Sequence, residues 1–228
     1  MWKKFSNWYY GNNDNEKETP KGGLGRVWYV IVNYIGSLVF INIVFIISCL
    51  PIFTIPASII AMSRYVGKIY NDGFGYGMDT YIKEFKSQIL KSIPLGLLVG
   101  VLAFYGYYLV SLAGNFIGGS LSDILTGMGV AILLIGLTFG SYVFTLAAHV
   151  DLPNKHLIRN SAILMICEWK RSLGLAFIFA IVIIATLALA PYSIFALVLC
   201  LFSFLQLLMS AIVMPVIKKR IIIPYETT

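Results

Sequence analysis

Long apolar runs without a charge, parted by short polar segments, set the pattern of this chain. Five of them are long enough for helices that cross a bilayer: residues 27–50, 93–112, 124–149, 173–190 and 192–217. The first opens on Trp28 and Tyr29, amphipathic rings suited to a membrane interface, and is ended by Pro51. Pro191 divides the last two, because proline has no N–H with which to continue a helix. That turn is so tight that a kinked or re-entrant arrangement stands beside two separate spans.

A sixth stretch, residues 52–70, is ambiguous by hydropathy. It contains Pro56, runs apolar through Ile59, Ile60 and Met62, then meets Arg64 and Lys68. Charge decides how to read it. The 17 Lys and Arg fall in four groups: five before the first run, five from Arg64 to Lys91, four from Lys155 to Arg171, and Lys218, Lys219 and Arg220. Five spans would put the first group on the far side from the rest. If Pro51–Pro56 is an outer turn and residues 57–70 return inward, every basic residue faces one side, which the positive-inside rule makes the cytoplasm. A helix over residues 56–70 reaches only about 22 Å, against a hydrocarbon core of roughly 30 Å. It therefore needs shielding by its neighbours or an unwound start inside the bundle, with Arg64 reaching for the inner headgroups.

The pattern predicts an all-α, polytopic transmembrane helical bundle of about six membrane elements, one of them short or broken. Residues 1–26 form a cytoplasmic N-terminal segment, 27–217 the transmembrane domain and 218–228 a cytoplasmic tail. The polar, aromatic first segment lacks the short apolar core and small-residue site of a cleavable signal peptide.

Two cytoplasmic connections are predicted to be amphipathic helices. In residues 77–91, Met78, Ile82, Phe85 and Ile89 share a face, with Asp79, Lys83, Lys86 and Ser87 opposite. In residues 156–171, Ile158, Ala162, Met165 and Trp169 make a similar stripe. Each leads through basic residues into a two-span hairpin. That repetition is read either as an internal repeat of docking helices or as the wetted helix that any inner loop needs.

Composition agrees with the pattern: 59% of residues are hydrophobic and 12% charged, against roughly 25% charged in soluble domains. The net charge of +7 flanks the apolar runs and builds no separate basic fold, so it serves topology and anionic lipid, and nucleic acid is excluded as a partner. Cys49, Cys167 and Cys200 have no C-x-x-C spacing and read as buried reduced thiols. His149, Asp151 and His156 are the one tempting catalytic or metal cluster, but H-x-D-x-x-x-x-H across Pro153 matches no metal-binding helix. No catalytic, metal or cofactor residue is assigned, and the chain is not expected to be an enzyme. Asn33, Ser37, Asn42 and Gln206 could line a path for a neutral sugar or bond helix to helix. Gly96, Gly100, Gly127, Gly129, Gly136 and Gly140 are expected at close helix contacts, within the chain or in a homo-oligomer.

The segment Cys49-Leu50-Pro51-Ile52-Phe53-Thr54-Ile55-Pro56-Ala57 resembles the C-S-L-P-I-x-T-x-G-A signature of the YesL-like bacterial membrane proteins. Tyr81 with Glu84-Phe85-Lys86-Ser87-Gln88 is similar to that family's F-x-x-F-K-x-N stretch, and Asn160-Ser161-Ala162 and Arg171-Ser172 to its later N-A and R-T positions. The resemblance implies a Gram-positive plasma-membrane protein encoded near carbohydrate-utilisation genes, with no reaction assigned. It implies an accessory or scaffold protein for carbohydrate uptake, with permease subunits of an ABC importer as partners. The alternative is a small transporter or channel for a neutral solute such as a sugar. On the first view Lys83, Phe85, Lys86 and Gln88 form a partner-docking helix. The turn of Pro51, Thr54 and Pro56 is either structural, with Thr54 capping the next helix, or a broken element that offers backbone to substrate.

Overall fold

The computed structural model describes residues 23–72, 77–114, 119–190, 192, 197–217 and 219–220. Lys3, Lys4, Lys17, Lys21, Asn115, Pro191 and Lys218 lie outside them, as does most of the glycine-rich connector after Asp72. Helix α1 covers Gly23–Ser48, and a 3-10 turn at Ile52–Thr54 leads into α2, Ile55–Asp72. Then come α3 (Met78–Gln88), α4 (Ile93–Ala113), α5 (Ser120–His149), α6 (Asn154–Cys167) and α7 (Trp169–Ala188). A π-helical turn over Leu197–Leu201 precedes α8, Phe202–Ile217. The described residues contain no strand.

Five helical stretches are long and apolar enough to cross a membrane: Gly25–Ser48, Ile93–Ala113, Ser120–His149, Trp169–Ala188 and Val198–Ile217. They are the five runs of the sequence pattern, and the chain folds as a membrane-type helical bundle. Helices α5 and α7 begin earlier than hydropathy places them, at Ser120 and Trp169. A helix gains by running on through polar residues, because every turn satisfies backbone groups that apolar surroundings cannot.

The ambiguous sixth stretch is α2, and it is the most enclosed helix of the bundle. Eleven of its residues are buried, on all sides: Ser58, Ile60, Ser63, Tyr65 and Ile69 among them. It packs on α1, α3, α5 and α8. Ser58, Ser63 and Arg64 are tolerated there because α2 faces protein throughout, so its modest hydropathy reports its neighbours and says nothing against membrane depth.

The path of α2 differs from a returning span. Helices α4 and α5 form an antiparallel hairpin, with Val99 on Gly140, Leu102 on Gly136 and Gly106 on Gly129. Pro56, at the start of α2, sits on Gly96, one turn into α4. Gly67, near its end, lies against the ring of His149, the last residue of α5. Both contacts fall at the same end of the hairpin, so α2 crosses that end obliquely. Ala113 lies 17 residues beyond Gly96, about 25 Å further along α4. The Pro51–Pro56 turn therefore does not stand level with the Ala113–Ser120 end, where an outer turn was expected; it stands near the end that carries Lys91.

Other basic residues are gathered at helix ends in the same way. The Arg64 guanidinium donates to the Ala148 carbonyl at the end of α5, so protein and not a headgroup receives it. Arg26 donates from Nε to the Tyr70 carbonyl and from Nη2 to that of Asn71 at 2.5 Å, joining the start of α1 to the end of α2. Asn154 at the start of α6 donates to the Lys91 carbonyl at 2.9 Å, and Arg220 pairs with Glu168 at 3.4 Å.

Of the glycines expected at close contacts, Gly96, Gly129, Gly136 and Gly140 meet a neighbouring helix, whereas Gly100 and Gly127 face open space. Gly106, not singled out in the pattern, meets backbone closely: a Cβ there would stand 2.8 Å from the Leu133 nitrogen and 2.9 Å from the Gly129 carbonyl oxygen. Backbone cannot move aside as a side chain can. Gly106→Leu is expected to cost about 1–3 kcal/mol or more, read as a fall in thermal midpoint in detergent, while Gly100→Leu leaves the midpoint unchanged. The depth of the turn gives a second expectation. In bilayers, Ile52→Cys resists a membrane-impermeant maleimide that labels Leu121→Cys from the far side; equal labelling of the two would contradict the oblique path.

Candidate functional site

Pro51 ends α1 and leaves carbonyls without helical partners, in a setting where water does not supply them. Thr54, Ser58 and Tyr81 supply them instead. The Thr54 hydroxyl lies 2.6 Å from both the Ser48 and the Pro51 carbonyl oxygens. It thus closes the end of α1 and does not cap the N–H groups of α2, which was the expected role. The Ser58 hydroxyl donates to the Thr54 carbonyl at 2.9 Å and approaches the Ser48 carbonyl at 3.2 Å. The Ser48 hydroxyl donates to the Phe45 carbonyl at 2.8 Å, and its oxygen is 2.5 Å from the Tyr81 hydroxyl, which is then the donor of that pair. Three hydroxyls and a phenol convert a helix break into a closed polar knot. Its members are half-buried or buried. Leu50, Ile52 and Phe53 at the tip are exposed apolar residues.

Tyr81 also fixes α3. It is buried and stacks on Phe85 at 6.1 Å between ring centroids. The buried face of α3 runs through Met78, Tyr81 and Phe85, while Ile82 is exposed, so the helix is turned by one position from the face the pattern predicted. Of the four docking residues, Lys83 and Lys86 are exposed. Phe85 packs inward, and Gln88 bonds within the helix to Glu84 at 3.1 Å. In α6 the buried line is Leu157, Ser161 and Leu164, flanked by Ile158, Ala162 and Met165. Trp169 is not part of it; it is exposed at the start of α7.

The histidine cluster is not assembled. Nδ1 of His149 is 2.9 Å from the Thr145 carbonyl oxygen, and its ring packs on Gly67. Asp151 and His156 are exposed. Among the described residues no group of three His, Cys, Asp or Glu is placed to hold a metal. Cys49 is half-buried, but Cys167 and Cys200 are on the surface and not buried as expected; all three are free thiols.

The polar residues proposed for a solute path are also dispersed. Asn33 donates to the Tyr29 carbonyl of its own helix at 2.8 Å. Asn42 clasps the start of α8, donating to the Val198 carbonyl at 2.7 Å and accepting from the Ser203 N–H at 3.0 Å. Of the four, only Gln206 lines the large cavity of the bundle, a space of about 630 Å³ walled by α1, α2, α4, α5, α7 and α8. Phe45, Ile59, Phe144, Phe179, Phe202 and Met209 give it an apolar wall. A smaller polar recess of about 420 Å³ lies between Gln88, Lys91, Asp151 and Asn154. Neither space was legible as such in the sequence; Tyr81 and Ser48 carry signals only in hindsight, as polar groups on either side of a helix break.

A family model described as "Protein of unknown function, DUF624" matches residues 38–110. That span runs from the second half of α1 through the polar knot, α2 and α3 to most of α4. No curated protein and no solved structure matches the chain. The class is thus a helical protein of membrane type, similar over residues 38–110 to a family described without a function.

Burial pushes the Tyr81 phenol up to about 12, with the Ser48 and Ser58 hydroxyls offsetting part of the rise. The folded state then keeps a proton that the unfolded chain releases near pH 10. Stability is expected to be level below that pH and to fall as pH rises from 10 toward 12. Tyr81→Phe should cost about 1–2 kcal/mol at neutral pH and flatten the alkaline fall, measured by thermal unfolding at a series of pH values.

Proposed function

We propose that this chain is an accessory or scaffolding protein of the bacterial plasma membrane, working beside a carbohydrate importer of the ABC type, with the basic end of its bundle in the cytoplasm. The link to sugar uptake rests on the resemblance of residues 49–57 and 81–88 to the YesL-like family, and the orientation rests on the positive-inside rule. The observation that carries the scaffold reading is the mounting of α3. The helix is pinned through Tyr81 and Phe85 to the α1–α2 turn and presents Ile82, Lys83, Lys86 and Ser87 outward. A rigidly seated helix with two lysines and an apolar residue on its free side suits an acidic, partly apolar patch on a partner protein. The competing reading, a carrier for a neutral sugar, finds little support, because Asn33 and Asn42 are spent on helix contacts and the large cavity is apolar.

Affinity purification from native membranes tests the reading. Importer permease subunits are expected to copurify, and the Lys83→Glu, Lys86→Glu double variant is expected to lose them while inserting normally. Recovery of the chain without any importer subunit would overturn the proposal.

A further inference from the structure

We infer that the 630 Å³ cavity is a binding site for an uncharged amphiphile taken from the bilayer, with one long apolar chain and an ester or hydroxyl end. The first ground is access. Helix α1 packs on α2 and α8, and α4 packs on α5 and α2, but no packed interface joins α1 to α4 or α5 among the described residues. Phe45 and Cys49 of α1 nevertheless face Val99 of α4 and Gly140 of α5 across the cavity, which leaves a lateral gap between the two pairs. Leu50, on the cavity wall, is 76% exposed at the flank of this gap. In a membrane that flank meets lipid.

The second ground is the chemistry of the wall. Its volume falls in the range of small-molecule sites, which combine an apolar lining with a few placed polar groups. Here those groups are the Gln206 amide and the Thr145 hydroxyl. Thr138 and Ser141 on the same helix donate to carbonyls one turn back, at 2.8 and 2.9 Å. Thr145, only 1% exposed, does not: its hydroxyl is buried with no partner. A buried hydroxyl left unmade is costly; with less than 1 Å² of its surface open, it meets a ligand oxygen only when the Thr145 side chain turns about χ1 into the cavity. Among the described residues no Asp, Glu, Lys, Arg or His lines the cavity, which disfavours a carboxylate or phosphate end and points to a neutral one.

The test uses the full chain in phospholipid nanodiscs with a photoreactive monoacylglycerol that carries a diazirine on its chain. Adducts are expected on residues 45–50, 55–62 and 202–209, and unlabelled monoolein should compete them away. Oleoyl lysophosphatidic acid, with the same chain and a charged end, should compete at least tenfold less well. Ile59→Trp fills the cavity and should abolish labelling. The Gln206→Leu, Thr145→Val double variant, close in shape to the native pair, should weaken monoolein competition about tenfold, the loss expected for one or two hydrogen bonds. Thr145→Val alone should raise the thermal midpoint in lipid-free detergent, which shows that the site folds without the hydroxyl. Adducts spread over the outer faces of α4 and α7, equal competition by the charged lipid, or unchanged competition in the double variant would each overturn the assignment.

Discussion

A helix that stops inside a membrane-type bundle must find partners for its last carbonyls within the protein, and the whole architecture is arranged around one such stop. Pro51 forces the break after Ser48. The carbonyls of Phe45, Ser48, Pro51 and Thr54 are then taken up by the hydroxyls of Ser48, Thr54 and Ser58, with Tyr81 donating to the Ser48 hydroxyl. Ser48 and Ser58 belong to the two helices that meet at the break, and Thr54 to the turn that joins them. Tyr81 belongs to none of these, and its need for a buried partner is what draws α3 onto α1 and α2. The amphipathic helix is therefore seated by the same bonds that make the break tolerable.

With the break closed, α2 can be enclosed. Its core partners arrive from elements far apart in the chain: Val27, Tyr34 and Ile41 of α1, Tyr81 of α3 and Leu207 of α8 form one cluster with Met62, Tyr65 and Ile69. Ile60 belongs to a second cluster with Leu95, Tyr142, Leu146 and Val213. An oblique helix touching both clusters joins α1, α3 and α8 on one side to the α4–α5 hairpin on the other. The same obliquity keeps α1 off the hairpin and leaves the large cavity between them.

The five long apolar helices were legible because lipid demands uniform apolarity over a fixed length, a signal that needs no knowledge of neighbours. The alternating faces of α3 and α6 were legible only to within one position. Met78 and Phe85 sit on the buried face, but Tyr81 and not Ile82 completes it, because an aromatic ring that can also donate a hydrogen bond outcompetes an aliphatic chain beside a helix break. The charge tally pointed to a chain that turns back after Pro51, and the contact of Arg26 with Asn71 brings the start of α1 to the end of α2. It could not give the depth of the turn, since Gly96 receiving Pro56 is a matter of shape and carries no charge. Gly106 carries no signal for a similar reason: Leu102 and Val110 stand four positions away on its own helix, and the glycine it meets is Gly129 on the facing one.

The enclosure of α2 has a consequence for how the protein is made. Leu207, Val213 and Met214, which close over the core of the bundle, lie on α8, which emerges in synthesis after every other described helix. Until then α2, with Ser58, Ser63 and Arg64 along its length, has only α1, α3 and the α4–α5 hairpin to shield it. The α4–α5 pair can form on its own glycine contacts, but α2 is left for most of translation with one flank open to lipid that its polar residues do not suit. Assembly of this bundle is thus cooperative from its two ends inward, and a truncation before α8 would release a chain whose second helix has no stable place in the membrane.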